Sequence, residues 1–225
     1  MLTNILKKYR NNLFPILGKP LNPQNCIPLD LSISNKKLMA LDLTKDKKLE
    51  DYIFNILNET NVEFGHGGYG EHRHLYGESN NFEVENDDES RCIHLGIDLW
   101  GKLGTPVFSP LDGIIHSFQY NPAYLDYGAT IILEHQLDGF KFYSLYGHLN
   151  MKSLDGLSVG QSIQKGTLLA HFGDYNENGG WAPHLHFQLM TDMLGNKGDF
   201  IGVSSESEMD YYLAICPNPS NFLGL

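Results

Sequence analysis

The second half of the chain is a series of short apolar runs broken by Gly, Pro, Asn and Asp. From Arg91 onward the runs are PVFS, GIIHSF, ATIILEH, FKFYSLYGHL, TLLAHFG and HLHFQLM. Strand-length segments at such close intervals predict a mainly β fold with an antiparallel sandwich or barrel-like core. No helix-length periodic segment interrupts them before Ser207, where SEMDYYLAI predicts a short C-terminal helix. Residues 1–60 follow a different rhythm. There Leu49, Tyr52, Ile53, Ile56 and Leu57 recur at helical spacing, which predicts a helix from about Lys45 to Asn58 with Thr44 as its N-cap. Leu31 to Leu41 is expected to hold a short strand or turn. Residues 61–90 are Gly-rich at the start and acidic at the end, so they read as a loop, with Glu83 to Glu89 a solvated surface run. The expected organisation is a partly helical N-terminal extension over 1–60, a loop region over 61–90 and a main domain over 91–225.

Composition narrows the function. At 225 residues and 41% hydrophobic, the chain is long and apolar enough to build a proper core. A formal charge of -11 argues against a nucleic-acid or anionic-membrane surface, which needs clustered Lys and Arg. The opening MLTNILKKYRNNLFPILGKPLNP is broken by Lys, Arg and Asn, so neither a Sec-type signal nor a membrane span is expected; the compartment and the oligomeric state carry no sequence signature. Cys26, Cys92 and Cys216 are odd in number, widely spaced and free of any CxxC pairing. They suggest neither a thiolate zinc site nor a disulfide framework, and each reads as a free buried cysteine, with Cys92 a neighbour of the candidate site below.

Candidate chemistry lies in the histidines. In IHLGIDLW, an extended backbone puts positions 94, 96 and 98 on one face, so His94 and Asp98 point the same way with only Gly96 between them. In PHLHF, His184 and His186 likewise share a face, while Leu185 and Phe187 turn to the core. Two histidines and a carboxylate form a zinc set with one position open for water. His148, after the Tyr-Gly turn of LYGHL, is placed to act on protons, since imidazole titrates near neutrality. His116 and His135 read as surface or hydrogen-bonded strand positions, His66, His72 and His74 as surface loop histidines, and His171 as part of the strand leading to the HLH segment.

These segments resemble the lysostaphin and LytM-type zinc endopeptidases. The matching text runs HLGIDLWGKLGTPVFSPLDGII, YGATIILEH, YSLYGHL, VGQSIQKGTLLAHFG, APHLHFQL and NPSNFL, in order, from about Ile93 to Leu223. The resemblance implies a small, mainly antiparallel β core with a groove over a Zn2+ ion. By position it implies His94, Asp98 and His186 as metal ligands and His148 and His184 as the two catalytic histidines, and it makes 91–225 a metallopeptidase domain. The implied substrate is a peptide, usually a peptidoglycan crosslink. The implied reaction is attack by a zinc-activated water whose proton passes to His148 or His184, either of which fits the part. Tyr69, Arg73 and Tyr76 of GGYGEHRHLY are candidates for substrate or oxyanion contact, each expected to cost more than about tenfold in turnover when replaced. Trp181 in NENGGWA is a candidate for shaping the groove, and the 61–90 loop is a candidate for occluding it. The alternatives are a non-catalytic metal-binding regulator or cell-wall peptide-binding module using the same groove, a sugar-transport phosphocarrier, which needs no carboxylate ligand at Asp98, and a purely structural β domain with incidental histidines.

Overall fold

Among the described residues, eight strands join in one sheet, whose backbone pairing sets the positions of Asp98, His184 and His186. The computed structural model describes residues 2–41, 47–73, 83–84 and 87–225. The sheet contains β1 (Cys26–Leu29), β2 (Phe64–Gly67), β6 (Ile97–Trp100), β8 (Gly113–Asn121), β9 (Gly128–Leu137), β10 (Phe140–Leu149), β11 (Ser162–Ile163) and β13 (His184–Met190). Their spatial order is β1-β2-β6-β13-β10-β9-β8-β11. Only the β1–β2 pair is parallel; the other neighbours in the sheet are antiparallel. The ends of the order do not pair with each other, so the sheet is open and mixed, not a closed barrel. Among the described residues, three two-stranded ribbons add to the sheet: β3 (Glu83–Val84) with β4 (Asp87–Ser90), β5 (Ile93–His94) with β14 (Val203–Ser204), and β7 (Pro106–Phe108) with β12 (Leu168–His171).

The two faces of β13 explain its sequence. Leu185, Phe187 and Leu189 enter the main core with Ile97 and Leu99 of β6, Ile131 and Leu133 of β9, and Phe142 and Tyr146 of β10. Burying each such side chain is worth roughly 1.5–3 kcal/mol. The other face of β13 carries His184, His186, Gln188 and Met190, all buried. The register places His186 opposite Asp98 on β6 and opposite Gly147 on β10, and His184 opposite Trp100.

The described residues up to Gly67 are built into this assembly. Helix α1 (Leu2–Tyr9) sends Leu2 and Leu6, one turn apart, into the main core, where Cys26 and Phe64 also lie. Helix α3 (Lys48–Thr60) buries Ile53 and Leu57 against Leu29, Leu31 and Trp100. The helix expected at about Lys45–Asn58 is thus present over nearly the same span, while Thr44 lies outside the described residues. The 31–41 segment holds a turn, closed by the Asn35 amide donating to Ser32 O at 3.0 Å, and then a one-turn helix, α2 (Lys36–Met39), whose start the Asn35 side chain caps by accepting hydrogen bonds from the Lys37 and Leu38 amides. The C-terminal helix appears as α4 (Met209–Ile215), followed by α5 (Ser220–Leu223). Among the described residues, no helix is long and apolar enough to cross a membrane.

Candidate metal centre

His94, Asp98 and His186 converge. His94 Nε2 lies 3.0 Å from His186 Nδ1 and 3.2 Å from Asp98 Oδ1, and His186 Nδ1 lies 3.1 Å from the same oxygen. Hydrogen bonds behind the rings fix what these atoms are. His94 Nδ1 is 2.9 Å from the Gly68 carbonyl, which can only accept, so the proton sits on Nδ1 and Nε2 carries a lone pair. The Gln188 amide nitrogen donates to Ile201 O at 3.0 Å, which turns Oε1 toward His186 Nε2 at 3.0 Å. His186 therefore donates from Nε2 and turns the Nδ1 lone pair inward. Two nitrogen lone pairs and a carboxylate oxygen facing one another at this range repel unless a cation lies among them. Ligands tetrahedrally placed about 2.0–2.2 Å from zinc are separated by roughly 3.3–3.6 Å; the donor types suit that ion, and the separations of 3.0–3.2 Å lie slightly inside its spacing.

Supporting residues fix this triangle. Arg73 Nη1 donates to Asp98 Oδ2 at 2.6 Å and its Nε donates to Glu71 Oε2 at 2.6 Å; the other Glu71 oxygen accepts from the Leu31 amide at 3.0 Å. Burial opposes ionisation of Asp98, but the neighbouring His94 and the permanently charged Arg73 outweigh it and hold the carboxyl well below its usual range. Burial, with Arg73 second, lowers His94 to about 4. Gly96 is required by close approach: a Cβ there would stand 2.6 Å from His186 Cε1 and Nε2. The missing side chain makes room for the imidazole of His186 itself.

His148 and His184 stand beside the triangle. Their Nδ1 atoms donate to Asn178 O and Ala182 O, each at 2.8 Å, which leaves Nε2 as the lone-pair atom on both rings. The rings stack with centroids 4.1 Å apart, and Trp100 stacks on the far side of His184 at 4.0 Å. Burial lowers His184 to about 4 and, aided by His184, holds His148 well below its usual value. Both are thus neutral bases near pH 7. His148 sits where the β9–β10 register shifts and takes the left-handed conformation, φ 61°. That geometry costs a non-glycine residue about 1–2 kcal/mol, offset by its amide donating to Tyr127 O at 2.7 Å and its carbonyl accepting from Gly173 N at 2.9 Å.

The cavity over these residues has a volume of about 470 Å3 and takes in Trp181, Asp126, Asp199 and Tyr212 on its walls. Of the candidates singled out from the GGYGEHRHLY text, Arg73 lines this cavity with its guanidinium engaged by Asp98 and Glu71. Tyr69 does not line it; its hydroxyl donates to Cys216 O at 2.6 Å. Tyr76 lies outside the described residues. Tyr127, to which the sequence assigns no role, lines the cavity with its hydroxyl 3.5 Å from His186 Nε2 and its ring packed edge-on against His186. The only local trace of it is the YG at the start of YGATIILEH.

Comparison with known proteins places these residues in context. The sequence profile of peptidase family M23 matches residues 92–202, which include the three converging residues and both flanking histidines. No curated protein sequence matches the chain significantly. Among solved structures, LytU is 22% identical, with 62% of this chain and 77% of that one covered and a TM-score of 0.40. The catalytic domain of the antimicrobial peptidase lysostaphin from Staphylococcus simulans is 23% identical, with 76% and 97% covered and a TM-score of 0.39. A zinc containing peptidase from Vibrio cholerae is 22% identical, with 49% of this chain covered and a TM-score of 0.35; the alignment spans 34% of that chain, about a third of its length.

Proposed function

The chain belongs to peptidase family M23 through residues 92–202, and from that premise we propose that it is a zinc-dependent endopeptidase hydrolysing peptide bonds in peptidoglycan crosslinks. The observation that carries the reading is the convergence of three lone-pair donors, His94 Nε2, Asp98 Oδ1 and His186 Nδ1, within 3.2 Å of one another beside two neutral imidazoles. His94, Asp98 and His186 would hold the ion. Zinc, when bound, supplies a Lewis acid that acidifies water and polarises a peptide carbonyl.

The protein's own groups supply the proton traffic. Nε2 of His148 or His184 accepts the proton of the attacking water, and the resulting imidazolium returns it to the departing amine nitrogen. The Nδ1 bonds to Asn178 O and Ala182 O hold both rings in the tautomer that can accept at Nε2. Arg73 keeps Asp98 ionised and oriented through a 2.6 Å bond. Tyr127, with its hydroxyl 3.5 Å from His186 Nε2, is placed at the cavity wall to donate to a developing oxyanion.

The test is metal content and crosslink cleavage measured together on the wild type and His186→Ala. One active-site zinc with cleavage, both lost in the variant, is the expected result. Zinc binding without cleavage would move the chain to a peptide-binding module on the same groove. Failure to take up zinc at His186 would end the proposal.

A further inference from the structure

A second cluster of metal-ligating side chains lies outside the cavity. His72, Cys92 and Glu206 place an imidazole nitrogen, a sulfur and a carboxylate oxygen within 4.8 Å of one another. His72 Nδ1 is 3.1 Å from Glu206 Oε1. The three residues come from segments far apart in sequence, and the backbone already holds those segments side by side. His72 bridges to Ile93 in antiparallel pairing, the Arg73 amide donates to Cys92 O at 2.9 Å, and the Cys92 amide donates to Ser204 O at 2.8 Å. Strands β5 and β14 continue that pairing through Val203–His94 and Ser204–Ile93. The donors are therefore gathered by main-chain hydrogen bonds and not by a chance encounter of long side chains.

We propose that His72, Cys92 and Glu206 form a second site for a divalent transition metal of the zinc class, separate from the cavity. The donor set selects the ion: a sulfur ligand with imidazole and one carboxylate suits zinc and cobalt(II), whereas magnesium and calcium require oxygen donors throughout. His72 and Glu206 keep 37% and 63% of their side-chain surface exposed, so both are able to close on an ion and leave its fourth position to water. The consequence is mechanical. The metal would join the segment carrying Arg73, the strand carrying His94 and the segment that follows Gly202 and Val203 on the cavity wall. It thus clips together the frame behind the cavity without entering it. Cys92, read from sequence as a free neighbour of the site, becomes the ligand that distinguishes this metal from the first. The proposal stands independently of the peptidase reading.

Sulfur provides the test. The full chain is stripped with a chelator and reloaded with cobalt(II), and bound metal and visible-ultraviolet absorption are read for the wild type, Cys92→Ser, Glu206→Gln and His186→Ala. The expected result is two equivalents and a thiolate-to-cobalt charge-transfer band in the wild type. Cys92→Ser should lose one equivalent and the band, Glu206→Gln should bind the second equivalent more weakly, and His186→Ala should lose one equivalent and keep the band. A wild type with one equivalent and no sulfur band overturns this site and leaves the peptidase reading intact. A band that survives Cys92→Ser also overturns it. A single sulfur-ligated equivalent indifferent to His186→Ala would instead sustain this site and overturn the cavity's metal.

Discussion

Gly96→Ala is the most economical way to test the geometry of the metal centre. The added Cβ would sit 2.6 Å from His186 Cε1 and Nε2 and 2.8 Å from Phe187 O. Ordinary contact begins near 3.5 Å, so one party must move by about 1 Å. Phe187 is fixed by the β6–β13 ladder and by the main core, which leaves the His186 ring as the part that yields. Overpacking of this kind costs about 1–3 kcal/mol, which lowers Tm by ~2–4 °C per kcal/mol in a chain of this size. A ligand displaced by about 1 Å also costs on the order of a hundredfold in rate. The assays are thermal melting, zinc stoichiometry at limiting free zinc, and kcat/KM on a crosslinked peptide. A variant with the wild-type Tm, full zinc occupancy and unchanged kcat/KM would refute the claim that this glycine exists to admit His186.

Three further outcomes follow from particular contacts. Tyr127→Phe is expected to lower kcat by on the order of 10²-fold with zinc content unchanged, since its hydroxyl lies on the cavity wall 3.5 Å from a ligand ring; an unaltered kcat would reduce Tyr127 to a packing residue. Tyr69→Phe removes the 2.6 Å bond to Cys216 O and should cost about 1 kcal/mol in urea unfolding while leaving turnover within about twofold; a tenfold loss of turnover would return Tyr69 to the reaction. His135 is buried, and burial lowers its pKa to about 4, so the folded chain keeps it neutral where the unfolded chain takes up a proton. Its contribution is fully present above about pH 6.5 and is lost as pH falls toward 4, by roughly 3 kcal/mol in all. Unfolding free energies at pH 7.5 and 4.5 should differ less in His135→Gln than in the wild type by about that amount, and equal differences would exclude His135 as a source of acid sensitivity.

What the sequence discloses depends on how local the physics is. The strands after Arg91 were legible because alternation and turn residues are properties of a few neighbouring positions, and for the same reason His184 and His186 share one face of β13. His94 and Asp98 do not lie on one extended segment as expected, because the backbone bends at Gly96 and puts them on separate strands, β5 and β6. Strands β1 and β2 were not legible. FGHG lacks the apolar alternation of a strand, since Gly65 and Gly67 leave space for the side chains of Leu29 and Arg73, partners distant in sequence or visible only in three dimensions. Tyr69 and Arg73 were singled out by proximity to the ligand strand, yet proximity along the chain does not set side-chain direction: one turns to Cys216 and the other grips Asp98. Tyr127 escaped notice because nothing near it in the sequence marks the cavity wall. His135, read as a surface or hydrogen-bonded strand position, is the second: it is buried with Asp112 O at 2.8 Å and Ser144 Oγ at 2.7 Å from its ring nitrogens.

The relay from the Leu31 amide through Glu71 and Arg73 to Asp98 bears on how this molecule could be divided. Its first three members lie ahead of the segment that matches the peptidase family, as do the two strands that flank β6 on its outer side. A fragment beginning at Arg91 would carry His94, Asp98, His148, His184 and His186, but Asp98 would lose its counterion and β6 would become a bare edge open to pairing with other chains. The portable unit is therefore larger than the recognisable one. Grafting the groove onto another scaffold, or trimming the chain for expression, requires the early residues to travel with it.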